Sequence, residues 1–153
     1  MTDEQFWAII ARLDWQHTGD DERVIAPAVR ALAAFGGAGI REFQDALAGK
    51  LYQLDTSAHA RHIGLYAYRD PDGGDFSADN FLYARCVVVA NGTELFEYVR
   101  HHPEAFPKDM EFEALLMIAP AAYERATGQE FDHEPPLSFE TFSNRAGWSE
   151  PAV

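Results

Sequence analysis

Residues 77–92 read SADNFLYARCVVVANG, and the fold turns on whether they form a strand or a helix. The run from Cys86 to Ala90 is apolar and β-branched, which taken alone suits a buried strand. The flanks argue the other way. Ser77 is a good N-cap, and Asp79 falls in a first turn, where a carboxylate complements the helix dipole. Asn91-Gly92 is a good helix terminus. A helix that is apolar on every side belongs at the centre of a bundle. The stretch is therefore read as a buried central helix, and the fold class as all-α.

Upstream, residues 69–76 read RDPDGGDF. The crowded aspartates suggest a calcium loop, which the ligand spacing tests. An EF-hand starting at Asp70 has Asp72 at its third position but Gly74 at its fifth. Asp75 then stands where glycine is needed, and Phe81 where the bidentate glutamate is needed. An EF-hand is excluded. Pro71-Asp72-Gly73 is turn chemistry, with a looser calcium site as the lesser reading.

Working outward, Thr2 and Gln5 form a capping box before a helix with Phe6, Ile9, Ile10 and Leu13 on one face. Ile25, Ala28, Val29 and Leu32 mark a second helix. Pro27 should lie near its start and Gly36-Gly37 at its end. Ile40, Phe43, Leu47, Leu51 and Leu54 give a strongly periodic third helix. The segment after Asp55 is read as a fourth, capped by Asp55 or Thr56. Thr93 is expected to cap a short helix stopped by Pro103. A long helix from Met110 to Gly128 should be kinked at Pro120. The expectation is a bundle of six or seven helices in a domain over residues 1–131. An irregular C-terminal tail, 132–153, should pack on it through Leu137, Phe139, Phe142 and Trp148.

Composition narrows the classes. The chain has 153 residues, enough for one domain, and 47% of them are apolar, enough for a core. Its 25 acidic and 12 basic residues give a net charge of −13. That charge argues against nucleic acid and anionic membrane surfaces, and for a protein partner with a basic surface. Cys86 is the single cysteine, so no intramolecular disulfide is expected. No apolar run is long enough to span a bilayer, and the acidic start MTDEQFW is unlike a signal peptide, so a cytoplasmic location is expected. No cofactor motif is present, and oligomeric state is not legible.

The order of motifs resembles a known family. Phe6-Trp7 with Ile10, then Ile40 and Phe43, are followed by Ser77, Asp79, Phe81, Tyr83, Arg85 and Gly92. Downstream come Glu111, Glu113, Leu115, Leu116, Ala119, Ala122, Tyr123, Glu124, Thr127, Gly128 and Glu130. In this order and spacing the chain resembles the bacterial domain-of-unknown-function family numbered 4240, over about residues 2–131. It departs at YQLDTS, which keeps only Tyr52 and Asp55 of a more aromatic segment, and at Val87, where the family has tryptophan. The resemblance implies a helical domain found in bacteria and no particular activity.

Two constellations are candidate sites. Arg85 lies on the buried helix, where a guanidinium needs partners. Asp79 and Asp55 are the candidates for that role. With Tyr83 these residues could line an anion- or ligand-binding cleft, as in an enzyme or small-molecule sensor; otherwise they form a buried ion pair that fixes packing. Asp55, His59 and His62, spaced i, i+4 and i+7, would share one helical face and could hold a divalent metal. The competing assignment makes Asp55 a cap, or a partner of Arg61 or Arg85. Cys86 in an apolar run is read as an inert buried thiol. The leading functional expectation is a non-catalytic binding or regulatory module, of immunity type for instance, with the Arg85 cleft as the alternative.

Overall fold

The computed structural model describes residues 1–69 and 74–149. Among these residues the chain is helical, with no strand. In order, the helices are α1 (Asp3–Ile10), α2 (Asp21–Ala33), α3 (Gly36–Gln53), α4 (Ser57–Ala60), α5 (Ala78–Ala90), α6 (Thr93–His101), α7 (Ile118–Thr127) and α8 (Arg145–Trp148). Short 3-10 turns lie at Trp15–His17, Pro103–Ala105 and Glu113–Met117. Two of the eight α-helices, α4 and α8, are single turns of 4 residues. Among the described residues no helix is long and apolar enough to cross a membrane. The aspartate turn, from Asp70 to Gly73, lies outside the described residues.

The deciding stretch is a helix. Ser77 Oγ accepts the Asn80 N–H at 3.3 Å, and Asn91 closes the other end with its side chain on the Val87 carbonyl at 2.7 Å. Val87, Val88 and Val89 are all buried. β-branched residues lose only tenths of a kcal/mol in a helix, at most about 0.7 each. Burying each such side chain gains about 1.5–3 kcal/mol, so burial decides.

Several local expectations need correction. α2 starts earlier than its apolar period suggested, because Asp20 caps the Arg23 N–H at 3.3 Å and Asp21 and Glu22 fill the first turn. Pro27 consequently sits inside the helix. The glycines after α2 open α3 instead of closing α2, with Gly36 at a φ of +73°. α4 ends at Ala60, so the fourth helix is one turn. Gly92, at a φ of +102°, precedes α6 where Thr93 was expected to cap; Thr93 is the first helical residue. Pro120 does not fall in the middle of a long helix. Glu113–Met117 is a separate 3-10 turn, so Pro120 falls in the first turn of α7, where no intrahelical N–H bond is lost.

The chain packs as two compact units. The first comprises Met1–Ala48 and Glu113–Leu137. Its core holds Phe6, Ile10, Leu32, Ile40, Phe43, Leu47, Leu115 and Ile118, all essentially without exposure. Phe6 stacks on Phe43 with ring centroids 5.0 Å apart. The Thr2–Gln5 capping box is present as expected. Arg41 donates to the Tyr123 hydroxyl at 2.9 Å and lies over its ring, and His133 meets Asp45 at 2.7 Å.

The second unit comprises Gly49–Phe112 and Ser138–Val153. Its core is built on α5 with Leu51, Leu54, Phe96, Val99 and Phe106. The segment after Ser138 enters this unit through Trp148, whose ring meets Tyr68 edge-on at 5.3 Å and Phe81 at 6.0 Å. Phe142 lies 4.5 Å from Trp148, and Leu137 is exposed.

Candidate functional site

Asp55 follows the last turn of α3, and its N–H bonds back to the Tyr52 carbonyl at 3.1 Å. Its side chain is fully buried, at 0% exposure. The carboxylate accepts three N–H bonds from the C-terminal segment. Oδ1 takes the Phe142 amide at 3.1 Å and the Trp148 indole at 2.8 Å, and Oδ2 takes the Asn144 amide at 3.0 Å. Charge-assisted bonds of this kind offset the desolvation of a buried carboxylate. The approach is close: a Cβ on Gly147 would stand 2.8 Å from the Asp55 carbonyl oxygen and from a Thr56 methyl. Phe142 has a φ of +77°, a strained backbone for a bulky residue, and it lies beside this cluster.

Arg85 projects from α5 and is also 0% exposed. Nη1 donates to the Leu51 carbonyl at 2.9 Å, and Nη2 to Thr141 Oγ1 at 3.0 Å. The Thr141 hydroxyl in turn donates to the Ala78 carbonyl at 2.7 Å. The guanidinium lies over the Phe81 ring, 4.8 Å from its centroid, while Nε has no partner among the described residues. Burial lowers the Arg85 pKa to about 10, against a smaller opposing pull, led by Asp55. The two charges feel one another, yet no direct ion pair joins them among the described residues. The expected buried ion pair is instead two separate charges, each held largely by neutral groups.

Of the four residues proposed for a cleft, Asp55 and Arg85 therefore come together, with no surface open to solvent. Asp79 is exposed in the first turn of α5 and is not the guanidinium's partner. Tyr83 is half-buried, and its carbonyl accepts the Phe112 N–H at 3.0 Å.

The Asp55–His59–His62 constellation required a continuous helix, and α4 ends before His62. Thr56, not Asp55, is the cap, accepting the His59 N–H at 3.0 Å. His59 is buried between Thr56 Oγ1, 2.7 Å from Nδ1, and the Val99 carbonyl, 2.9 Å from Nε2. Both ring nitrogens are occupied when Nε2 carries the proton. Burial holds this imidazole below its ordinary pKa. Among the described residues no three His, Cys, Asp or Glu side chains are grouped to hold a metal. Arg61 lies over the Tyr68 ring at 5.4 Å, and Cys86 is buried and in no disulfide.

A groove open to solvent lies elsewhere. In the first unit, a groove of about 550 Å³ runs between α2 and the segment from Glu113 to Arg125. Its floor is apolar: Ile25, Ala26, Val29, Ala114, Met117 and Ala121. Met117 is 52% exposed, and with its neighbours on the floor it forms an apolar patch rather than a lone exposed side chain. Asp21, Glu22 and Glu113 stand on the rim, as do Arg30 and Arg125. All five charged residues are exposed, and none has an ion-pair partner among the described residues. Sequence reading missed this groove because the apolar face of the expected Met110–Gly128 helix is read on Phe112, Leu115, Leu116 and Ala119, which gives Met117 and Ala121 no role. The i, i+4 row of Glu113, Met117, Ala121 and Arg125 was the available signal.

Fold and site together define an all-helical protein with a closed polar cluster in one unit and an open, charge-rimmed groove in the other. The chain belongs to the family described as Protein of unknown function (DUF4240), which matches residues 1–125. No curated protein and no solved structure matches it. The matched stretch contains Asp55 and Arg85, while Phe142, Asn144 and Trp148, which hold Asp55, lie beyond it.

Proposed function

We propose that the chain is a non-catalytic protein-binding module, regulatory or of immunity type, whose partner presents basic groups to it. The groove between α2 and the Glu113–Arg125 segment carries this reading. An exposed methionine on an apolar floor gains from being covered, and unpaired charges on the rim are free to select what covers it. The net charge of −13 favours a basic surface and accelerates its approach. The burial of Asp55 and Arg85 supports the same reading, since their hydrogen-bonding capacity is turned inward.

The test is photo-crosslinking in cells that naturally produce the chain, with p-benzoylphenylalanine at position 117. Exposed Gln129 serves as the control position. A discrete protein adduct at Met117, absent from the control and suppressed by Val29→Glu, is expected. Identical adduct patterns at the two positions would remove the groove as a binding surface.

A further inference from the structure

Resting on that protein-binding reading, we propose that the groove takes a three-turn amphipathic α-helix of the partner protein, apolar along one stripe and oppositely charged at its two ends. The walls set the shape. One is the α2 row of Glu22, Ala26 and Arg30; the other is the row of Glu113, Met117, Ala121 and Arg125. The α2 row and the Met117, Ala121 and Arg125 positions of the other repeat every four residues, as neighbours on an α-helix face do, and Glu113 opens the 3-10 turn before them. From Glu113 to Arg125 is roughly three helical turns, or about 18 Å. Alanines at 26, 114 and 121 keep the floor shallow, so a third helix can pack closely in the trough. The described residues contain no strand, so they present no sheet edge for an extended peptide, and helix-in-groove is the mode these walls can offer.

The rim sets the charge. The two walls run in the same direction. Tyr123, late in α7, meets Arg41 and stands 3.3 Å from where a Gly37 Cβ would be, just past the end of α2. Asp21, Glu22 and Glu113 therefore mark one end of the groove, and Arg30 and Arg125 the other. A helix with lysines at one end and glutamates at the other satisfies both poles; a helix of a single sign satisfies one and is repelled at the other.

The test uses three stapled helical peptides of about three turns, each with leucines at i, i+4 and i+7. One is lysine-tipped at one end and glutamate-tipped at the other, one is lysine-tipped at both ends and one glutamate-tipped at both. Fluorescence polarisation measures affinity, and amide chemical shifts of Val29, Met117 and Ala121 locate the site. The dipolar peptide should bind about tenfold more tightly than either single-sign peptide, as a few exposed ion pairs allow. In the Arg30→Glu, Arg125→Glu double variant the all-lysine peptide should become the tightest. A ranking that ignores the double variant overturns the proposal. If no peptide shifts these signals while Met117 still captures a protein, the helical occupant is wrong and the binding reading survives. If neither occurs, both fall. A dimer seen by sedimentation velocity and dissolved by Met117→Glu would make a second copy the occupant and also overturn the proposal.

Discussion

Asp55 and Arg85 in one unit, and the rim of the α2 groove in the other, are both sets of opposite charges, and they do different things. The buried pair is closed over: three N–H groups hold the carboxylate, while a carbonyl and a hydroxyl hold the guanidinium. The rim charges have no ionic partners among the described residues and surround an exposed methionine. A charge satisfied from within specifies how the chain packs; a charge left open beside apolar surface specifies what it meets. Substitutions in the two regions should therefore separate stability from binding.

The largest effect is expected at Asp55. Asp55→Ala orphans three N–H groups and removes the largest compensating charge on the guanidinium, so about 3–5 kcal/mol should be lost in urea unfolding. Arg85→Met should cost clearly less, about 1–3 kcal/mol, because burial already disfavours the charge it removes. The reverse order would show that the guanidinium, not the carboxylate, organises the cluster. Gly147→Ala should cost about 1–3 kcal/mol by overpacking against Asp55 and Thr56, and the loss should appear with a change in Trp148 fluorescence. Met117→Glu, in the groove, should change stability by less than about 0.5 kcal/mol and still abolish binding of the dipolar peptide.

His59 adds a pH dependence to the second unit. Its folded pKa lies below the ordinary value of 6.5, so the unfolded chain takes up the proton first. The stability it contributes is complete above about pH 6.5 and falls as the pH drops below that, by at most about 1.4 kcal/mol per pH unit. His59→Gln, which can donate to Val99 and accept from Thr56, should flatten this part of the profile. An unchanged slope would assign the titration to another group.

Local signals were legible where local chemistry decides. The Thr2–Gln5 box, the Ser77 cap and the Asn91 terminus all stand in the structure, and they settled the helical reading of a valine-rich run. The burial of Arg85 followed from its neighbours on that helix. What closes over Asp55 was not legible, because its donors lie 87, 89 and 93 residues downstream, with no periodic signature. The one-turn α4 and the 3-10 turn before Pro120 were hidden for a related reason: apolar spacing shows which residues face inward, not where a helix stops. The groove needs two rows from distant segments, so neither row announces it alone.

The most direct test of the account is cross-linking yield at position 117 in two backgrounds with native helical circular dichroism. Arg85→Met should leave the yield unchanged, and the Arg30→Glu, Arg125→Glu double variant should reduce it several-fold. Loss of cross-linking in Arg85→Met, with full yield in the double variant, would contradict the account and return function to the buried cluster.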